Sequence, residues 1–170
     1  VSEIVIRPAI AADLPVLGAI ENDSDQNFAG TDLDWISREP ATPAEALTPM
    51  LDEGSVWVAE HAGRPIGFLA AGTDDGLFVI HQVSVAQAAQ RRGVGAALMR
   101  QAIDHARERG APSVALTTYR DVPWNAPWYA GFGFVDIPAG QRAAVLEEML
   151  AHEAEAGHDP TRRCAMLLTF

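Results

Sequence analysis

The sequence predicts an α/β (α+β) fold, a sheet of about seven strands flanked by helices, and three observations point to it. Residues 55–61 and 65–73 are two β-rich runs separated by Ala62, Gly63 and Arg64, the pattern of an antiparallel hairpin. Residues 77–85 are nearly continuous in apolar and β-branched side chains, as a central strand would be. Leu98, Met99, Ala102, Ile103 and Ala106 then form one stripe of a helix at 93–109, and a strand at 113–118 completes a β-α-β unit.

The remaining elements follow from local patterns. Residues 2–6 alternate loosely before Arg7 and Pro8 and read as a first strand. Asp13 is placed to cap a helix with Pro15 in its first turn and Leu14, Leu17 and Ile20 on one face. Residues 21–43 turn irregular and polar (Asn22, Asp23, Ser24, Asp25, Gly30, Asp32, Asp34) yet hold Phe28 and Trp35, which suggests an ordered loop or short helices over a pocket. Thr42-Pro-Ala-Glu has capping-box spacing and opens a helix to about Glu53. Asp74-Asp75-Gly76 is a turn into 77–85, and Gly110 with Pro112 ends the helix at 93–109. A short helix around 125–130, a strand at 132–137, a helix from about 141 to 156 and a last strand at 163–169 complete the chain.

Bulk properties bound the function. At 170 residues and 48% hydrophobic, the length favours a single domain over 1–170. The apolar runs at 77–80 and 111–116 fall short of the roughly 20 residues that span a bilayer. The first residues lack the basic-then-apolar order of a signal peptide, so a cytoplasmic protein with no membrane partner is expected. The lone Cys164 excludes an internal disulfide and a multi-cysteine zinc site. His105, His152 and His158 have no second ligand at metal spacing, so no metal is expected. A net charge of −11 argues against nucleic-acid binding and suits a cationic substrate, although solubility accounts for it equally well. Exposed edge strands make a homodimer plausible.

Gln90-Arg91-Arg92-Gly93-Val94-Gly95-Ala96 lies between a strand and a helix, where backbone N–H groups with little side-chain obstruction gather at the positive end of the helix dipole. That is a pyrophosphate cradle, although a Gly-x-Gly by itself serves equally as a plain helix start. A third glycine with a later acidic residue would make it a dinucleotide fingerprint, and Gly-Lys-Ser/Thr a Walker loop; neither follows Gly95.

Together with Val83-Ser84-Val85 before it, this segment resembles motif A of the GNAT acetyltransferase superfamily. Asn125, Tyr129 and Gly133-Phe134 follow in the order of that family's second signature. Asn125 stands nearer to Tyr129 than the family's asparagine does to its tyrosine. The resemblance covers about residues 3–138, with its sharp motifs at 77–134. It implies a mixed, twisted sheet splayed between its fourth and fifth strands, and acetyl-coenzyme A as co-substrate.

By the same resemblance, backbone groups of Val83, Ser84 and Val85 pair with the pantetheine arm. Arg91, Arg92 and the N–H groups up to Ala96 hold the phosphates, with Gln90, Asn125 and Tyr129 as further cofactor contacts. Tyr129 is the implied general acid, since a phenol near pKa 10 is comparable in basicity to a thiolate. The base is less defined: Val79 stands where many relatives carry a glutamate, and His81 shares the strand face of Val79, Val83 and Val85. His81, Phe28, Trp35 and Trp124 are the candidate acceptor contacts. The implied reaction is direct acetyl transfer in a ternary complex to an amine of a small molecule or peptide. The alternatives are an acetyl-coenzyme A sensor without turnover and a partner-binding domain whose Gly-x-Gly only starts a helix.

Overall fold

In the computed structural model, which describes residues 3–170, the predicted elements form, most of them with shifted ends. Ser2, which opens the first predicted strand, lies outside the described residues. The strands are β1 (Ile4–Pro8), β2 (Val56–His61), β3 (Arg64–Asp74), β4 (Leu77–Val85), β5 (Ser113–Tyr119), β6 (Val135–Asp136) and β7 (Arg163–Thr169). The α-helices are α1 (Leu14–Asp25), α2 (Ala44–Glu53), α3 (Val94–Glu108), α4 (Ala126–Ala130) and α5 (Ala144–Glu155). The strands form one sheet in the order β1-β2-β3-β4-β5-β7-β6. β1–β2, β2–β3, β5–β7 and β6–β7 pair antiparallel, while β4–β5 pairs parallel through Phe78↔Val114 and Val79↔Ala115. This is the mixed, mostly antiparallel sheet expected.

The chain forms two compact units, the first comprising residues up to Gly72 with Gln82–His105, the second Thr73–His81 with Ala106–Phe170. In the first, Leu17 and Ile20 of α1 and Leu47 of α2 pack on Val56, Val58, Phe68 and Ala70, the inward alternation of β2 and β3. Trp57 points to the opposite face, where its ring meets that of His105 edge-on at 4.8 Å, so α3 covers the side that α1 and α2 leave. The turn between β2 and β3 holds Ala62 and Gly63 at φ 50° and 75°, the left-handed pair that a two-residue hairpin needs. In the second unit, Leu146 of α5 packs on Val79, Ala115 and Ala165, with Leu77, Val145, Met149, Leu150 and Leu167 around them.

Two predicted caps are not made. Thr42 does not close a capping box on α2, whose N-cap is Pro43; its N–H and hydroxyl both donate to the buried Glu21 at 3.0 Å. Asp13 does not cap α1 with its side chain, because both oxygens accept from Arg7 and one also accepts from the Ile10 N–H. For Thr42 a distant partner outcompetes the local one, and for Asp13 the competing partners lie just upstream, at Arg7 and Ile10. β6 is shorter than the predicted strand at 132–137, and α5 begins later than 141.

Gly67 of β3 is required by crowding. A Cβ there would meet the Ser84 carbonyl oxygen at 3.0 Å, Val94 Cγ1 at 3.3 Å and Val85 Cγ2 at 3.4 Å. Gly67→Ala should therefore destabilise the protein by about 1–3 kcal/mol, the usual cost of overpacking. Equilibrium urea unfolding measures it, and a variant as stable as the parent would contradict the close packing of β3 against β4 and α3.

Candidate active site

In the first unit, the chain leaves β4 and enters α3 through residues 86–93. Because α3 begins at Val94, the N–H groups of its first turn have no partner inside the helix. Arg91 (φ 62°) and Gly93 (φ 79°) are both left-handed, a backbone that turns successive N–H groups into an anion-binding concavity. Nothing lies within 4 Å of a Cβ built on Gly93, so glycine is required there by φ rather than by space. Arg91 has no such licence, and its left-handed backbone stores strain where the motif lies. Both arginines and Gly93 are exposed, Gly95 and Ala96 are partly buried, and Val94 is buried and anchors the helix start. The arrangement fits a phosphate group.

The end of β4 has two sides. Ala86 N–H donates to the Ile66 carbonyl at 2.9 Å and Ser84 O lies against Gly67, so even-numbered residues face β3. Val83 and Val85 therefore turn their N–H and C=O groups the other way. Ser84 is buried and its hydroxyl accepts from Gln82 Nε2 at 2.7 Å. The Gln90 amide is also engaged: Nε2 donates to the Val85 carbonyl at 2.9 Å, and Oε1 accepts from Asn27 Nδ2 at 3.1 Å. Its side chain braces the strand end.

The segment at 21–43 carries the acceptor candidates Phe28, buried, and Trp35, half-buried in a 3-10 turn at Asp34–Arg38. Two carboxylates of this segment carry raised pKa values. Glu21 and Asp25 lie one turn apart at the C-terminal end of α1, where the helix dipole disfavours negative charge. Burial pushes Glu21 up, against the hydrogen bonds from Thr42, and burial reinforced by Glu21 pushes Asp25 up to about 6.

The second unit holds His81, Trp124, Asn125 and Tyr129. His81 is exposed on β4, and its Nε2 lies 2.8 Å from Asp74 Oδ2. With Nε2–H assigned as the donor to that carboxylate, Nδ1 is left as an acceptor. Sequence reasoning treated Asp74 only as a turn residue. A carboxylate beside a candidate histidine base is the signal that identifies it. Tyr129 sits on α4, partly buried, edge-on to Trp128 at 5.1 Å and Phe134 at 6.2 Å between ring centroids. Loss of water pushes its phenol up to about 12, against a smaller downward pull from Arg163. The proton is held more tightly than the sequence argument assumed. Asn125 contributes through its backbone, its carbonyl accepting from Tyr129 N–H at 3.0 Å, while Trp124 is 39% exposed. Gly133, at φ 101°, brings the chain so close to Leu168 that a Cβ would meet Cδ1 at 3.1 Å, and the buried Phe134 follows it against Tyr129.

Comparison with known proteins adds three findings. The model of the acetyltransferase (GNAT) family matches residues 24–134. A Xenopus laevis protein described as a probable N-acetyltransferase camello is 35% identical over 85 residues, 48% of this chain. That match spans 38% of the length of the camello protein. Among solved structures, N-acetylglutamate synthase from Neisseria gonorrhoeae, complexed with coenzyme A and N-acetyl-glutamate, superposes with a TM-score of 0.72 at 19% identity, over 98% of this chain and 35% of that one. Ribosomal-protein-alanine N-acetyltransferase from Brucella melitensis gives 0.70 at 23% identity, over 98% and 99%. At these identities the structural likeness is one of fold.

The Asp25 carboxyl has a measurable consequence. Its folded pKa of about 6 lies above the ordinary 3.8, so the stabilising contribution is complete below pH 4 and is lost as pH rises through 6. The full shift corresponds to about 3 kcal/mol, less for the solvent Asp25 still sees. Asp25→Asn should be as stable as the parent near pH 4 and about 1–3 kcal/mol more stable at pH 7.5. Unfolding curves at the two pH values test this, and an equal difference at both would remove the burial argument.

Proposed function

The chain belongs to the acetyltransferase (GNAT) family, and on that premise we propose that it is an enzyme transferring acetyl from acetyl-coenzyme A directly onto a primary amine of a small molecule or peptide. The observation that carries this reading is the turn into α3, where left-handed Arg91 and Gly93 precede the unpaired N–H groups of the helix start. We propose that the whole chain works as one domain, in the cytoplasm; no helix among the described residues is long and apolar enough to cross a membrane.

The roles follow from chemistry. Backbone N–H groups from Arg91 to Ala96 take phosphate oxygens, with the two guanidinium groups beside them. Val83 and Val85 offer the pantetheine amides backbone groups that face away from β3. Acetyl-coenzyme A supplies the activated acyl group; its C–S bond breaks as the C–N bond forms. His81, held by Asp74, takes the proton of the ammonium through water. Tyr129 donates to the departing sulfur. A phenol near 12 passes its proton to a thiolate whose thiol has an ordinary pKa, about 8.5, only uphill by roughly 5 kcal/mol. A strong hydrogen bond is thus its main contribution, and the second proton, shed by the nitrogen as it becomes an amide, reaches the sulfur through water.

Acceptor choice is proposed to lie with 21–43, whose acidic residues favour a cationic amine such as a polyamine, an aminoglycoside-like compound or a lysine-rich peptide. The names of the structural neighbours include an amino-acid product and a protein alanine, so amines of both sizes occur on this fold. A second reading, a donor-binding sensor without turnover, draws on Val79, a fully buried core valine where relatives carry a carboxylate.

Calorimetric titration of acetyl-coenzyme A separates these readings. The parent should bind, Gly93→Asn should retain much of the affinity because asparagine tolerates a left-handed backbone, and Gly93→Glu should lose it through charge. No binding by the parent would end both donor-binding readings. In an amine screen, Tyr129→Phe and Asp74→Asn should each lower kcat by about 10- to 1000-fold with donor affinity unchanged. Donor binding with no product from any amine would favour the sensor.

A further inference from the structure

Three hydrogen bonds within the first unit join the acidic segment to the turn that precedes the cradle, and a fourth ties that turn to the end of β4. Asp23 Oδ2 accepts the Gln87 backbone N–H at 2.7 Å. Asn27 Oδ1 accepts from Gln87 Nε2 at 3.2 Å, while Asn27 Nδ2 donates to Gln90 Oε1 at 3.1 Å. Gln90 Nε2 then donates to the Val85 carbonyl at 2.9 Å. Gln87 donates, and Asn27 and Gln90 each accept and donate, so the polarity of the relay is consistent from Gln87 through Asn27 and Gln90 to the end of β4. Next to Asn27, the Gln26 amide donates to the Ser37 carbonyl at 2.9 Å, carrying the connection into the 3-10 turn that holds Trp35.

Asn27 bonds both Gln87 and Gln90, the two ends of the residues leading to left-handed Arg91. Removing it would leave the Gln90 carbonyl oxygen without its partner, in a partly buried position, and free the Gln90 amide to release Val85. We propose that Asn27 is a positioning residue that couples the phosphate cradle to the 21–43 segment through Gln90, so that filling the cradle steadies the segment proposed to receive the acceptor. The inference rests on the acyl-donor reading above and adds a direction to it: the donor site acts on the acceptor side through one asparagine amide.

Hydrogen exchange measured with and without coenzyme A tests it on the full chain. In the parent, coenzyme A should slow exchange at 85–97 and also, by about threefold or more, at 21–38. In Asn27→Ala and in the isosteric Asn27→Asp, which keeps an acceptor for Gln87 but loses the donor to Gln90, protection should persist at 85–97 and vanish at 21–38. Coenzyme A affinity should fall about 3- to 10-fold in both, with melting temperatures near that of the parent. A role in packing alone would leave Asn27→Asp like the parent. Protection of 21–38 that survives in either variant overturns the coupling, as does a parent protected at 85–97 alone, and both outcomes leave the donor reading intact. A parent with no protection at 85–97 overturns the donor reading and the coupling with it.

Discussion

Leaving β4 without obstructing the start of α3 is the constraint on which the first unit is built. A strand end must hand over to a helix whose first N–H groups stay open, and regular backbone cannot do this in a few residues. The chain uses two left-handed residues, and the non-glycine one, Arg91, costs about 1–2 kcal/mol. The surroundings over-determine that conformation. Val94 is sunk into the core on one side, Gly67 lets β3 approach within a Cβ radius of Ser84 and Val94, and the Gln90 amide holds the last strand carbonyl. A strained turn persists because its two ends are each packed and hydrogen-bonded.

A second unfavourable arrangement lies at the C-terminal end of α1. Glu21, Asp23 and Asp25 stand together where the helix dipole is negative, and burial raises the first and last. Thr42 satisfies Glu21 and the Gln87 N–H satisfies Asp23, whereas Asp25 lowers its own cost by holding its proton to near pH 6. No cation compensates these charges through a recorded ion pair among the described residues. A neutral side chain at Asp25 would avoid that cost at neutral pH.

The same contrast explains how much could be read from sequence. Where a backbone conformation demands a residue type, the pattern was legible: Gly63 in the hairpin turn, Gly93 before α3 and Gly133 before Phe134 all sit at positive φ. Strand β4 was read with its observed ends, because a buried strand has to be continuously apolar. Where an ordinary polar side chain chooses among partners, local rules failed. Thr42 has capping-box spacing and binds a glutamate 21 positions earlier. Gln90, a candidate cofactor contact by its motif, also bridges Val85 and Asn27 through its side chain, the latter 63 positions away. Asp74 looked like turn punctuation and is the partner of His81.

Those failures share a cause that bears on the chemistry. A hydrogen bond contributes about 0.5–1.5 kcal/mol wherever its partner comes from, so nothing in local sequence distinguishes a residue that caps its own helix from one that braces a distant turn. Backbone strain, by contrast, is local and excludes most residue types outright. The turn proposed to bind phosphate is therefore legible early, since it is made of backbone. The side chains proposed to handle protons, His81 and Asp74, and those of the 21–43 segment, Asn27 and Asp25, take their meaning from what the fold sets beside them and become readable only once the fold is known.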